Sequence, residues 1–379
     1  MLPLTGVTVV EIANNIAGPY AGYILAMLGA DVLKVERPEA GDDARAWGPP
    51  FWLDTSATFH ALNMNKRSIT LDLKQPEAIA WLSAYLKASD VLLHNLRPGV
   101  MDDLGLGSAA MTGLNPRLIY CNLSAFGPAG PMQANPGYEP MVQAFAGLFS
   151  INGYPDRPGV RIGTSVLDLG TGVWTALGCL AGLLERQRSG KGCVVDASLF
   201  ETALGLLTVH FARYRASGRL PERHPTGSLG VVIFEGFDTA DGQVIVAAAN
   251  DRLFAKLCGE LGHPEWVSDP RYKSNADRIA NKATLIAAVA DILRQKSCAE
   301  WVERLEKIGV PCAPINDMRV IETHPQTAAL HMLQPVPELD LELISLPLSL
   351  DGARPRIRTR APRLGQHNSS LPGLPLPRK

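Results

Sequence analysis

The sequence predicts an α/β protein: a large doubly wound parallel-sheet domain followed by a smaller α/β domain. Three observations predict it. Through the first 125 residues, short β-branched runs alternate with helical runs. From Tyr138 to about Gly218 the pattern is mostly helical, with one strand-like run, "CVVDAS". From Asp241 a second, shorter alternation begins.

"GVTVVEI" reads as a buried strand, "GPYAGYILAMLGA" as a helix opened by Gly-Pro, and "DVLKVE" as a second strand, which together make a βαβ unit. "RSITLDL", "PEAIAWLSAYLKA", "DVLLHN" and "RLIYCNLS" add a strand, a helix and two strands. The run "SVLDLGTGVWTALGCLAGLLERQRSGKG" is a helix rich in small residues with one acid, Asp168, at its head, and "LFETALGLLTVHFARY" opens another helix. "DGQVIVAAAN" and "DRLFAKLCGELG" begin the smaller segment, which the amphipathic helices of "NKATLIAAVADILRQKSCAEWVERLEKIG" close. The ending "RPRIRTRAPRLGQHNSSLPGLPLPRK" is rich in Pro and Arg and predicts an extended surface strap with a frayed end.

Composition excludes several function classes. Among 379 residues, 36 Lys and Arg stand against 37 Asp and Glu, so no broad field draws the chain to nucleic acid or to an anionic membrane. The six cysteines are widely spaced without C-x-x-C, which fits a reducing, cytoplasmic setting and predicts neither a zinc site nor a disulfide framework. The N-terminus lacks the pattern of a signal peptide, and the apolar run Leu169 to Leu184 is short for a bilayer and carries four glycines. The expectation is a soluble protein with no metal site.

Several motifs are absent. The first strand-to-helix turn is "ANNIAGPYAG", not G-x-G-x-x-G, and Pro19 removes a donor that a pyrophosphate needs, although Glu36 at the end of the second strand would suit a ribose. "SGKG" lacks the rest of a P-loop, the eight histidines show no metal spacing, and there is no G-x-S-x-G. Arg37, Arg45, Lys74 and Arg97 follow successive predicted strands, so a doubly wound sheet would gather them on one rim. Asp168, by position alone, reads as a helix N-cap.

Five blocks then carry a resemblance: "AGPYAGYILAMLGADVLKVERPEAGDDARAWGPPF", "NMNKRSITLDLK", "LHNLRPGVMDDLGLG", "GYEPMVQAFAG" and "ERQRSGKGCVVDASLFE". In this order they resemble the class III CoA-transferases, the CaiB/BaiF or formyl-CoA transferase family, from Leu2 to about His367. The resemblance implies that Asp168 is the nucleophile of a covalent aspartyl mechanism, with an acyl-CoA and a small carboxylic acid as substrates. Coenzyme A enters as a thioester co-substrate, with no tightly bound cofactor. The helix dipole and N–H donors are expected to favour the ionised carboxylate.

The family's CoA contacts fall on Ile16, Ala17, Arg37, the run Leu71, Asp72, Leu73 and Lys74, then Asn95, Leu96, Arg97, and Gly137, Tyr138 and Glu139. The resemblance further implies a ring-like chain interlocked with a second copy as a homodimer. Its large CoA-binding domain spans residues 1–218, its small domain 225–325, and a segment 330–379 returns to the large domain or to the partner chain.

This chain departs from the family at Ile16, where many members carry Gln or Leu, and at Asp103, where a basic residue often helps hold phosphate. In "HPTGSLGVVIFEGFDTADG" the family's flap is longer and more apolar, with Gly227 and Gly230 either lending flexibility or forming turns. The same fold carries 2-methylacyl-CoA racemases, but Tyr138 stands where those enzymes have the histidine of "GHD". A non-catalytic acyl-CoA-binding relative is the third reading. Among substrates, the blocks look closest to the succinyl-CoA:dicarboxylate branch, glutarate and itaconate types included, with Arg45 a candidate for a distal carboxylate.

Overall fold

A computed structural model describes residues 2–228 and 230–375. They fall into two compact units, one of Met1–Leu148, Arg161–Phe211 and Pro325–Lys379, the other of Phe149–Val160 and Ala212–His324.

In the first unit, β1 (Thr8–Ile12), α1 (Ala17–Met27) and β2 (Asp31–Glu36) form the βαβ unit that the apolar runs predict. With β3 (Lys66–Thr70), β4 (Val91–His94), β5 (Ile119–Ser124) and β6 (Val194–Ser198) they make a six-stranded sheet. Its spatial order is β3-β2-β1-β4-β5-β6 and every pairing is parallel. The central strands are covered on both faces, which is why β4 reads as an unbroken apolar run, "VLLH", with all four residues buried. The chain runs outward from β1 to β3, then returns to β4 on the other side of β1. That reversal opens a crevice at the C-terminal ends of β1 and β4, where open α/β sheets bind ligands.

The helices of this unit include α2 (Ala57–Asn63), α3 (Pro76–Leu86), α4 (Glu139–Phe145), α5 (Val166–Ser189) and α6 (Leu199–Leu206), of which α4, α5 and α6 reach the crevice. By length and composition α5 is apolar enough to cross a membrane, longer than the run read from sequence. Its small residues have a different use: a Cβ on Gly172 would stand 2.8 Å from the Ala17 carbonyl oxygen, on Gly178 2.4 Å from Val195, and on Gly182 2.9 Å from Cys193. Glycine there lets α5 lie hard against α1 and the β5–β6 edge of the sheet.

Between Asp42 and Asn63, which the sequence left unread, the chain forms a 3₁₀ turn at Asp43–Ala46, a small hairpin of Phe51–Trp52 with Thr55–Ser56, and α2. The C-terminal strap is extended, as its composition predicts. It covers the edge strand β3: the His367 N–H donates to the Ser68 carbonyl at 2.9 Å, the Ser68 N–H to His367 Nδ1 at 3.1 Å, and the Thr70 N–H to Asn368 Oδ1 at 2.9 Å. Its last residues, 376–379, lie outside the described residues.

The second unit holds an antiparallel sheet of β7 (Phe234–Asp238), β8 (Gln243–Ala247) and β9 (Cys312–Pro314), in the order β9-β8-β7. The helices Asp251–Glu260, Lys282–Leu293 and Cys298–Lys307 share its core through Phe254, Leu257, Val289, Trp301 and Leu305. The segment read as a flap belongs here, with Leu229 outside the described residues. Neither Gly227 nor Gly230 has a positive φ. A Cβ on Gly227 would stand 2.4 Å from the Glu235 carboxylate, and one on Gly230 2.6 Å from the Arg213 guanidinium, both the ends of flexible side chains that can move aside.

Candidate active site

Asp168 is not a cap. Helix α5 starts at Val166 with Ser165 at the N-cap, and Asp168 is the third helical residue, with no hydrogen-bond partner among the described residues. The donor at the helix head is satisfied from elsewhere: the Leu167 N–H donates to Glu139 Oε1 at 3.3 Å. Glu139, the first residue of α4 and 3% exposed, also accepts from Gln143 Nε2 at 2.5 Å through the same oxygen. Its other oxygen, Oε2, is buried without a hydrogen bond, 3.6 Å from Arg161 Nη2. Gln143 in turn accepts from the Ile162 N–H at 2.9 Å, which ties the chain leading into α5 to α4.

This arrangement reverses the expected electrostatics of Asp168. Burial, and after it the charge of Glu139, push the Asp168 carboxyl up to about 7. The helix N-terminus does not hold it in the usual carboxylate range. A partly buried, unbonded carboxyl that ionises near neutral pH is suited to act as a nucleophile or a base.

Asp168 opens onto a cavity of about 230 Å³ at the crevice between β1 and β4. Of the residues read from sequence, Ala17, Asn95, Leu96, Arg97, Gly137, Tyr138 and Glu139 line it together with Asp168. The β1–α1 turn is held in place by Asn95, whose Oδ1 accepts from the Asn14 N–H at 2.9 Å and whose Nδ2 donates to the Asn14 carbonyl at 2.7 Å. Arg97 is exposed; its carbonyl accepts from the Val100 N–H at 3.1 Å, and its guanidinium makes no hydrogen bond or ion pair with any described residue. Tyr138 is 68% exposed.

The other predicted residues stand off this cavity. Ile16 is the half-buried N-cap residue of α1. Leu71 is buried in the apolar core and Leu73 packs against it, while Asp72 accepts from the Lys74 N–H and Gln75 Nε2 in the turn before α3. Lys74 is exposed. Arg37 is committed to Asp43 and to the Gly41 carbonyl.

The expectation that Arg45 is free to meet a distal carboxylate fails. Arg45 is 8% exposed and forks onto Glu36 with two bonds of 2.7 Å, and it also donates to the Pro362 carbonyl. It belongs to a buried charge network under the site. There Lys34 Nζ lies 2.8 Å from Glu11, 2.9 Å from Asp42 and 2.7 Å from the Ala13 carbonyl, and Lys66 lies 2.8 Å from Glu11. Burial opposes the Lys34 charge, but Asp42, Glu11 and Glu36 outweigh it and hold its pKa above the ordinary lysine value. Asp42 Oδ1 accepts from the N–H of Asn15, whose φ is 69°, and from the Ala44 N–H. One carboxylate thus fixes two cavity walls, the turn at Asn15 and the loop leading to Trp47.

Asn15, Trp47, Thr171 and Leu199 also line the cavity and were not singled out from sequence, although "NN" and "AWGPP" lie inside the recognised blocks. Among the described lining residues there is no histidine.

Comparison with known proteins agrees with this geometry. The profile of CoA-transferase family III matches residues 4–368. The acetyl-CoA:oxalate CoA-transferase of Acetobacter aceti is 36% identical over 97% of this chain and 95% of its own. The succinate–glutarate CoA-transferase of Agrobacterium fabrum is 34% identical over 97% and 94%. The crystal structure of a CAIB/BAIF family protein from Brucella suis superposes with a TM-score of 0.87 at 35% identity, over 97% of this chain and 98% of that one. A parallel-sheet crevice with an unbonded aspartate, in a chain matched along nearly its whole length by enzymes that move coenzyme A between acids, makes this protein a member of CoA-transferase family III, an enzyme that uses a CoA thioester as co-substrate.

Proposed function

We propose that the chain transfers coenzyme A from an acyl-CoA to a carboxylic acid through a covalent intermediate on Asp168. The observation that carries the reading is the Asp168 carboxylate itself, unbonded at the head of α5 and facing the switch-point cavity. Its oxygen attacks the thioester carbonyl, the C–S bond breaks, and CoA thiolate leaves a mixed anhydride on the enzyme. Thiolate then attacks the aspartyl carbonyl and releases the donor acid, which carries off one Asp168 oxygen. The acceptor carboxylate attacks the aspartyl thioester and expels thiolate. Thiolate finally attacks the acceptor's carbonyl, giving the new acyl-CoA and free Asp168. The cavity contributes proximity and exclusion of water from the anhydrides.

Ala17, Asn95, Leu96, Arg97 and the Gly137–Glu139 turn hold the thioester end of CoA, and Ile16, Arg37 and the turn of Asp72, Leu73 and Lys74 its remainder, while Leu71 supports that turn from the core. The acceptor is a dicarboxylate, with succinyl-CoA as a donor. The names of the relatives support the acceptor class, one pairing acetyl-CoA with oxalate and the other succinate with glutarate. A racemase needs a second proton-transfer group, and the described lining supplies no histidine for it. The reading includes a homodimer, favoured by the exposed apolar face of α5 at Val173, Trp174, Leu177 and Leu184, and a reducing cytoplasm, in keeping with six free thiols.

The test is brief incubation with succinyl-CoA followed by hydroxylamine and peptide mass spectrometry. A hydroxamate on the Asp168 peptide, absent in Asp168→Ala, supports the mechanism. Acyl-CoA binding without any adduct across a panel of thioesters would return Asp168 to proton transfer or to a passive role.

A further inference from the structure

A second cavity, of about 730 Å³, lies in the first unit and shares no lining residue with the Asp168 cavity. Its walls are the loop from Glu39 to Ala46, the hairpin at Phe51–Thr55, His60 on α2, and the strap from Arg360 to Leu364. The mechanism above makes no use of it.

His60 is the informative residue. It is 3% exposed, and its Nε2 lies 3.1 Å from the Trp52 carbonyl oxygen. A carbonyl only accepts, so Nε2 carries the proton and Nδ1 presents a lone pair. Burial, with smaller contributions from Arg360 and Arg45, lowers the His60 pKa, so the ring is neutral at physiological pH. Nδ1 is buried and has no hydrogen-bond partner, an arrangement that costs free energy until a donor arrives.

The same cavity holds unused donors. Arg360 is 9% exposed and bonds through Nε to Glu338 at 2.8 Å, which leaves its terminal nitrogens without a partner among the described residues. The Arg363 side chain makes no bond there either. Arg45, the third guanidinium, is engaged by Glu36 and Pro362 through Nε and Nη2, its Nη1 making no hydrogen bond with a described residue, and Glu39 and Asp54 stand among the lining residues. That balance suits one carboxylate and not a polyphosphate.

We propose that this cavity is a second binding site, which takes a small hydroxycarboxylate. Its carboxylate meets Arg360 and Arg363, and its hydroxyl donates to His60 Nδ1 once a shift of the His60 ring opens that buried atom to the cavity. The inference is independent of the role of Asp168.

Lactate and propionate differ by the one hydroxyl at issue, so the test is calorimetric titration of the full-length protein with each. Lactate binds ~10-fold more tightly, the value of one hydrogen bond to a buried acceptor. His60→Phe removes that difference and spares propionate. Arg363→Ala weakens both acids by ~10-fold or more, and because Arg363 is exposed at the strap it keeps the test decisive if His60→Phe fails to fold. Arg97→Ala, in the other cavity, changes neither. Equal affinity of the two acids, as when a water already satisfies Nδ1, overturns the proposal. So does the absence of lactate binding, or binding lost in Arg97→Ala and retained in Arg363→Ala.

Discussion

Glu139 and Asp168 are two carboxylates on one cavity wall in opposite states of bonding: Glu139 accepts the Leu167 N–H at the head of α5, and Asp168, on the next residue, bonds to no described residue. The division of labour explains the chemistry. Glu139 takes over the capping contact and, by its charge, helps keep Asp168 protonated until the pH approaches 7.

The pH dependence of kcat/KM follows from this. The nucleophile must be ionised, so kcat/KM rises tenfold per unit at low pH and levels off above about 7. In Glu139→Gln an acceptor for the Leu167 N–H remains while the like charge is gone, so the break moves to lower pH. The move is smaller than the whole displacement, since burial is the larger cause. A break that stays in place in Glu139→Gln would show that Glu139 does not act on Asp168.

Stability carries the same signature with its sign determined by linkage. Asp168 ionises near 3.8 in an unfolded chain and at about 7 when folded, so between those values the folded state binds more protons and stability falls as pH rises. Asp168→Asn, which never ionises, is therefore more stable than the parent at pH 8, by roughly 2 kcal/mol after allowance for partial exposure. The advantage shrinks toward zero at pH 4. Urea denaturation at the two pH values measures it, and a variant less stable than the parent at pH 8 would contradict the expectation.

Much of this fold was legible because its parallel strands are buried on both faces and so read as β-branched runs. The small-residue run of α5 was visible too, but its reason, contact with the Ala17 carbonyl, Val195 and Cys193, required the fold. Arg45 looked like a free rim cation because its partner Glu36 sits at the end of another element and meets it only when the loop closes. Asp168 looked like a cap for a similar reason: the group that displaces it, Glu139, comes from a separate helix. Local patterns identify which residues are charged or helical. They do not identify which partner reaches them first.

Gly172 sets how closely α5 approaches α1. In Gly172→Ala the new Cβ would meet the Ala17 carbonyl oxygen at 2.8 Å and the Tyr20 ring at 3.0 Å. The helix must shift, which costs roughly 1–3 kcal/mol. Asp168 lies one turn away, so kcat falls more than ground-state binding of CoA does. Thermal unfolding with steady-state kinetics tests both, and unchanged activity would separate Asp168 from this contact.

Lys34 holds together the buried network beneath the site. Lys34→Met leaves Glu11 and Asp42 in the interior without their shared cation, although Lys66 still reaches Glu11. The expected loss is roughly 3–5 kcal/mol by chemical denaturation. A loss below about 1 kcal/mol, the range of an exposed pair, would mean that the network does not support the fold.

The covalent role of Asp168 is tested most directly by following one oxygen atom. With an acceptor acid labelled with oxygen-18 in its carboxylate, a single turnover in the presence of acyl-CoA should leave one heavy oxygen on the Asp168 side chain, and repeated turnover a second, detected by mass spectrometry of its peptide. The account predicts label at Asp168 that requires both substrates and is absent from the Asp168→Asn protein. Full transfer of CoA to the labelled acid with no heavy oxygen at Asp168 would contradict it.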